Sequence, residues 1–269
     1  MVRSAALRNL RLAWRSMPSA LRPRILTKVS AALSGFRSGI TNVPSLLNHV
    51  RANGFIPETI IDVGAFAGDW STCARRVYPN ARCIMIDANE DNSAQLAEAV
   101  QRIRNAEYEI ALLGPENHGV VLFHVQSTGS SVLPELTPFE RTERQVRMTR
   151  LDDLLSGREM PGPVLLKLDV QGFELEVLRG APRTLADSEV VILETSLLPY
   201  NEGAPLFSDV VGFMARAGFL AYDFCGQARR ESDNTLFQTD VVFTKAASNL
   251  RAPRPFWLHE TRHAGAVQS

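Results

Sequence analysis

Four acids stand at or near the ends of apolar runs, where a folded chain would bring them to one edge of a sheet. Asp62 lies in TIIDVGAFAGDW, residues 59–70, just ahead of two glycines, Gly64 and Gly68. Asp87 closes RCIMID, Asp169 closes VLLKLD, and Glu194 follows VVIL. A glycine lets the backbone turn tightly, and the free N–H groups of a helix that starts there favour an anionic group. Asp87 comes 19 residues after Gly68, a spacing that suits the hydroxyls of a ribose. Loop and acid together describe a nucleoside-containing ligand. NAD is one candidate, but the loop is Gly-x-x-x-Gly and lacks the full Gly-x-Gly-x-x-Gly of a pyrophosphate site. S-adenosylmethionine is the other, because Asp62 would repel a pyrophosphate and would suit an ammonium. A plain turn beside an unrelated acid is the remaining reading.

Asp169 and Glu194 are the candidates for proton transfer. An alcohol is a poor nucleophile, so alkylating it calls for a base or a metal. Burial behind LLKL would raise the pKa of Asp169 toward a useful value; its bland alternative is to cap the helix after Gly172. Glu194 either faces the acceptor or bonds a neighbouring loop. The pair could hold a divalent ion, but no metal is expected. His124 reads as structural and Lys167 as the partner of an acid. Ser130 and Ser131 are expected to help cover the ligand, and Tyr200 and Asn201 to border the acceptor.

The elements that must position these residues begin near residue 58. Strands are expected at TIIDVGA, RCIMIDA, EYEIALL, GVVLFHVQ, PVLLKLDV, EVVILETS, FLAYDF and QTDVVFTK. Helices are expected over 68–78, 90–103 (Ala94, Leu96, Ala97 and Val100 inward), 173–186 and 205–217. Residues 127–140 read as a polar loop. Near-continuous apolar strands separated by amphipathic helices predict an α/β fold with a seven-stranded, mostly parallel sheet covered on both faces. The short connection 226–237 predicts an antiparallel hairpin at its end.

The chain has 269 residues and a formal net charge of zero, with 29 basic and 29 acidic residues. That balance hides a split. Residues 1–57 hold nine Arg or Lys and no Asp or Glu, which predicts a basic, helical N-terminal extension that meets an anionic partner. Leu7, Leu10 and Trp14 share one face of a helix over 3–15, so this arm could lie on a membrane surface or pack on the main domain. Domain limits are expected at 58–245, with a tail over 246–269. No apolar run approaches the ~20 residues of a membrane span. The start has no clean apolar core, which argues against a secretory signal. Three scattered cysteines, Cys73, Cys83 and Cys225, point to a reducing cytoplasm rather than to disulfides or zinc. The acidic body lacks the Asn-Pro-Pro-Tyr or Asp-Pro-Pro-Tyr of a flipped-base site, so nucleic acid is not the expected partner.

Several pieces in order resemble the FkbM family of S-adenosylmethionine-dependent methyltransferases. IIDVGAFAGDWS is similar to its first cofactor motif and IMIDANEDNSAQL to its second. ALLGPENHGVVLFH is similar to its third-strand and hairpin segment. TRLDDLL followed by LLKLDVQGFELEVLRGA is the most specific part, and VILETSLLPYNEGAPLFSDVVGFMARAGF closes the pattern. The resemblance covers about 58–245. It implies a class I methyltransferase fold, S-adenosyl-L-methionine as cofactor, and a hydroxyl of a sugar, glycan or secondary metabolite as acceptor. It also implies cofactor contacts at Asp62, Gly64, Ala65, Phe66, Gly68, Asp87, Ala88, Asn89, Ala111 and Leu112. The chain departs from the pattern at Phe66, where Asn is common, at Asp87 (Glu), at Asn89 (Pro) and at Gln171 (Glu). The competing expectations are an NAD-dependent oxidoreductase, which the absence of a Tyr-x-x-x-Lys pair opposes, and a non-catalytic protein that keeps the cofactor fold.

Overall fold

A computed structural model describes residues 42–126, 129–136 and 141–254. The helix expected over 3–15 and the last part of the tail lie outside these residues. The chain begins with α1 (Val43–Ala52), β1 (Thr59–Val63), α2 (Asp69–Val77), β2 (Arg82–Asp87), α3 (Ser93–Arg102) and β3 (Ala106–Ile110). A second group follows: β4 (Leu112–Leu113), β5 (Val120–Val125), β6 (Thr142–Thr149) and α4 (Leu151–Leu154). The remainder is β7 (Val164–Leu168), α5 (Glu174–Arg179), α6 (Pro182–Asp187), β8 (Ser188–Ser196), α7 (Phe207–Arg216), β9 (Phe219–Arg229) and β10 (Leu236–Lys245).

The main sheet has seven strands in the order β3-β2-β1-β7-β8-β10-β9. Strands β3, β2, β1, β7 and β8 run parallel, and β10 is antiparallel to both β8 and β9. The expected fold class and terminal hairpin are therefore present. Alternation along each strand explains why the runs are continuously apolar. Ile61, Val63, Ile84, Ile86, Leu166 and Leu168 point into one core layer, while Ile60, Cys83, Met85 and Leu165 point into the other. Both faces are covered, so neither set of positions can be polar without cost.

Five details differ from the sequence expectation. The run EYEIALL is two strands, because the Ala111 N–H bonds the Asp87 carbonyl at 2.9 Å and the next two residues leave for a second sheet. That sheet, in the order β4-β6-β5, contains an unexpected strand, β6. The helix expected over 173–186 breaks into α5 and α6 at Gly180, where a Cβ would lie 2.1 Å from the Gly114 carbonyl oxygen. In α3, Ala99 is buried beside Leu96, and Ala94 is exposed. Finally, α1 falls in the segment expected to be an extension, yet Leu46, Leu47 and Val50 are at most 2% exposed within the core.

The site is set by the order of the strands. The chain leaves β1 for β2 and β3 on one side, then returns through the small sheet to β7 on the other. A crevice opens outside the carboxyl ends of β1 and β7, at the switch point of the sheet.

Candidate active site

The loop after β1 folds toward β2. The N–H groups of Gly64 and Ala65 both bond the Ile86 carbonyl, at 2.8 and 3.1 Å. Phe66 adopts a left-handed φ of 48°, which turns its N–H onto Oδ2 of Asp87 at 2.7 Å. Oδ1 of Asp87 accepts from the Asn89 N–H at 2.8 Å and from Asn92 Nδ2 at 3.0 Å. Burial raises the Asp87 carboxyl, and these hydrogen bonds oppose the rise. A carboxylate offers about four acceptor positions. Three are filled, so one is left for a ligand hydroxyl.

The two glycines have different jobs. A Cβ on Gly64 would sit 1.8 Å from the Asp169 carbonyl oxygen, so this glycine lets the loop approach the end of β7. Gly68 does not line the cleft. Its Cβ would meet Ala99 at 2.7 Å and the Met85 sulfur at 3.1 Å, so it lets α2 pack on α3.

Asp62 is also not in the cleft wall. It is fully buried; Oδ2 accepts from Ser71 Oγ at 2.7 Å and Oδ1 lies 3.4 Å from Lys167 Nζ. The ammonium beside Asp62 is thus supplied by the protein. Lys167 Nζ also lies 3.3 Å from Asp169 Oδ2 and donates to the Gly64 carbonyl at 3.4 Å. Burial acts to lower the Lys167 pKa, but Asp169, Asp62 and Asp240 outweigh it and hold the lysine charged.

Asp169 keeps a third of its side chain exposed and lines the cleft. The capping role considered for it belongs to Glu174, whose Oε1 accepts from the N–H groups of Val170 at 2.9 Å and Gly172 at 3.2 Å. Burial raises the Glu174 carboxyl to about 7. Glu194 does not line the cleft; its Oε2 accepts from Gln171 Nε2 at 2.7 Å and Gln238 Nε2 at 3.2 Å. Burial, reinforced by Asp169, Glu174 and Asp240, lifts its carboxyl well above the usual range. Asp240 faces Glu194 across the β8–β10 pair, and burial with the charge of Asp169 pushes it up to about 6.

Ala65, Phe66, Ala88, Ala111 and Leu112 line the cleft, whereas Asn89 stands behind Asp87. Ser130 and Ser131 line it too. Ser131 Oγ donates to the Gln171 carbonyl at 2.9 Å, which pins the covering loop to the turn after β7. Tyr200 and Asn201 sit outside the lining: the Tyr200 carbonyl accepts from the Leu136 N–H, and Asn201 Nδ2 donates to the Leu133 carbonyl. His124 is in β5, with Nδ1 3.5 Å from Glu143. Among the described residues, no group of three or more His, Cys, Asp or Glu is arranged to hold a metal ion. Sequence reasoning missed Gln171 as a bridge, Glu174 and Asp240. Glu174 had a readable signal, an acid two residues after a glycine at a helix start; Asp240 had none without the strand register.

The cleft measures about 990 Å³ with its open mouth included. Its wall carries the carboxylates of Asp69, Asp87 and Asp169. Among the described residues its cation is Lys167, already held by two acids. A pyrophosphate would meet uncompensated negative charge here. A cofactor that carries a sulfonium and an ammonium is matched, and the residues present fit S-adenosyl-L-methionine.

Fold and cleft together define a class I methyltransferase. The methyltransferase FkbM domain model matches residues 62–221, a span that includes the glycine loop, Asp87, Asp169 and Glu194. The chain belongs to this family, and S-adenosyl-L-methionine is its methyl donor. Among solved structures it is similar to a precorrin-6y C5,15-methyltransferase from Geobacter metallireducens, at 14% identity and a TM-score of 0.42 over 74% of this chain and 86% of that one. It is also similar to TrmK of M. capricolum in complex with S-adenosyl-homocysteine, at 9% identity and a TM-score of 0.43 over 74% of this chain and 67% of that one. No curated protein matches the chain at the sequence level.

Proposed function

We propose that this methyltransferase methylates a hydroxyl of a sugar, a glycan or a secondary metabolite, with Asp169 as the base. The observation that supports this reading is the state of Asp169. It is a partly exposed carboxylate in the cleft wall, relieved of capping by Glu174 and held by Lys167 and Gln171. Bound S-adenosyl-L-methionine supplies an activated methyl group on a sulfonium. The backbone of Gly64 to Phe66 would hold the cofactor's polar end and Asp87 a ribose hydroxyl, while Ala88, Ala111 and Leu112 offer apolar surface to the base. Asp169 would orient the acceptor hydroxyl and take its proton as the new bond forms. Ser131 and its loop cover the cleft and exclude water. Glu194 would act behind Asp169, through Gln171. In our reading the body lies in the cytoplasm, and the basic arm either packs on it or meets an anionic surface such as the inner face of a membrane. No helix among the described residues is long and apolar enough to cross a membrane.

The test is transfer of labelled methyl from S-adenosyl-L-methionine to a panel of glycosides and polyketide alcohols. Asp169→Asn is expected to cut kcat about 10²–10⁴-fold while S-adenosyl-homocysteine still binds within a few-fold of wild type. Full turnover by Asp169→Asn would remove Asp169 from the chemistry.

A further inference from the structure

The turn Val170–Gly172 is built with unusual care for a connection. Gln171 adopts a left-handed φ of 55° and Gly172 a φ of 95°. A Cβ on Gly172 would meet that of Ala204 at 2.7 Å. The covering loop fixes the turn from above, because Ser131 Oγ donates to the Gln171 carbonyl, and Glu174 fixes it from below through the N–H groups of Val170 and Gly172. A left-handed backbone at a non-glycine residue is strained and persists only when its surroundings over-determine it. Here they aim one side chain. Gln171 Nε2 donates one hydrogen to Asp169 Oδ1 at 2.8 Å and the other to Glu194 Oε2 at 2.7 Å.

We propose that Gln171 is a positioning residue that fixes the Asp169 carboxylate in the cleft by tying it, through one amide nitrogen, to Glu194. The inference rests on the role given to Asp169 above. Asp169 follows a strand and keeps a third of its side chain in the open, so its orientation needs an anchor. Lys167 holds Oδ2, and Gln171 holds Oδ1. The groups packed around the bridge explain why the anchor is an amide. Lys167 comes from β7, Asp62 from β1, Glu174 from α5, Glu194 from β8, and Asp240 with Gln238 from β10. Five of these seven neighbours, Asp169 included, are acids in a setting with one cation. A glutamate in place of Gln171 would add a further acid and could donate only if protonated. An amide donates to both carboxyls at any pH.

The experiment is a carbon-13 NMR titration of side-chain carboxyls in the full chain, for wild type, Gln171→Asn and Gln171→Glu. It needs neither cofactor nor acceptor. Asparagine tolerates the left-handed backbone but is one methylene short of bridging, so it keeps the turn and breaks the tie. Losing the tie frees the Asp169 carboxylate to reorient, so its carboxyl carbon resonance is expected to move from the wild-type position in Gln171→Asn at the same pH. Gln171→Glu restores the length without the donor, and its new carboxyl is expected to hold its proton above the ordinary glutamate range. An unmoved Asp169 carboxyl resonance in a Gln171→Asn chain that melts like wild type overturns the proposal. So does a Glu at position 171 that titrates at the ordinary value. Calorimetry with S-adenosyl-homocysteine on the same samples reports separately on the cofactor site: its failure there would sink the methyltransferase reading and leave the carboxyl result standing.

Discussion

Glu174 shows how a buried acid can couple this site to pH. Its carboxyl is 2% exposed, is raised to about 7, and caps the turn that carries Gln171. A carboxyl raised from its unfolded value near 4.5 to about 7 binds its proton more tightly in the folded state. The stability it contributes is complete below the unfolded value and is lost as pH rises through the folded one, a change of about 3 kcal/mol. Wild type is therefore expected to melt at a lower temperature at pH 8 than at pH 5. Glu174→Gln keeps an acceptor for both N–H groups and is expected to flatten that slope in thermal scans; an unchanged slope would show that Glu174 is ionised in the fold. At this scale the sequence reveals Asp87 and Asp169, because an acid closing an apolar run is conspicuous. It gives no sign that Asp62 has a cationic partner within the protein, Lys167, its register partner on the adjacent strand β7 but far away in sequence. Asp240 and the Gln171 bridge stay hidden, since both depend on register and on turn geometry.

The glycines of the first loop act at the scale of elements, and they can be separated by substitution. Gly64 has a φ of 75° and a Cβ there would overlap the Asp169 carbonyl at 1.8 Å. Neither backbone can yield without distorting the loop or moving Asp169, so Gly64→Ala is expected to abolish S-adenosyl-homocysteine binding. Gly68→Ala presses instead on Ala99 and Met85. Its expected cost is about 1–3 kcal/mol of stability, with cofactor affinity changed far less. Parallel calorimetry and thermal scans check this, and equal binding losses would contradict the division of labour. Parallel strands were legible because both faces are buried and their runs are uninterrupted. Strand β6 was not, because in TERQVRMT the inward positions are Arg144, Val146 and Met148, so the period-2 apolar signal is only two residues long. The break between α5 and α6 had a signal that went unread, Gly180 at the end of one helix and Pro182 at the first position of the next; the close approach of Gly114 to Gly180 reinforces it.

Across the whole molecule, charge and core divide the chain at different points. The basic segment runs to residue 57, but packing enters the domain earlier. Leu46, Leu47, Val50 and Phe55 belong to one core layer, and the Tyr78 hydroxyl donates to the Leu47 carbonyl at 3.0 Å. Burying such side chains contributes about 2–5 kcal/mol each when measured by truncation to alanine, against a total of about 5–15 kcal/mol for a domain. A chain that starts at residue 42 is therefore expected to melt like the full chain and to bind S-adenosyl-homocysteine equally well. It is expected to lose sedimentation with phosphatidylserine vesicles, if the arm makes the anionic contact proposed for it. A chain that starts at residue 58 is expected not to fold. Retained vesicle binding without residues 1–41 would place that contact on the acidic body and contradict the role of the arm.

In our reading the cleft at the switch point binds a cationic nucleoside cofactor through Asp87. The most direct measurement is a calorimetric titration with S-adenosyl-homocysteine, with NAD as control, for wild type and Asp87→Ala. Wild type is expected to bind in the micromolar range and to ignore NAD. Asp87→Ala removes the carboxylate proposed to hold the ribose and strands the N–H groups of Phe66 and Asn89, each a loss of about 1–3 kcal/mol, so binding is expected to weaken at least about tenfold. A folded wild-type protein that fails to bind S-adenosyl-homocysteine, or an Asp87→Ala protein that binds it as tightly as wild type, would contradict the account.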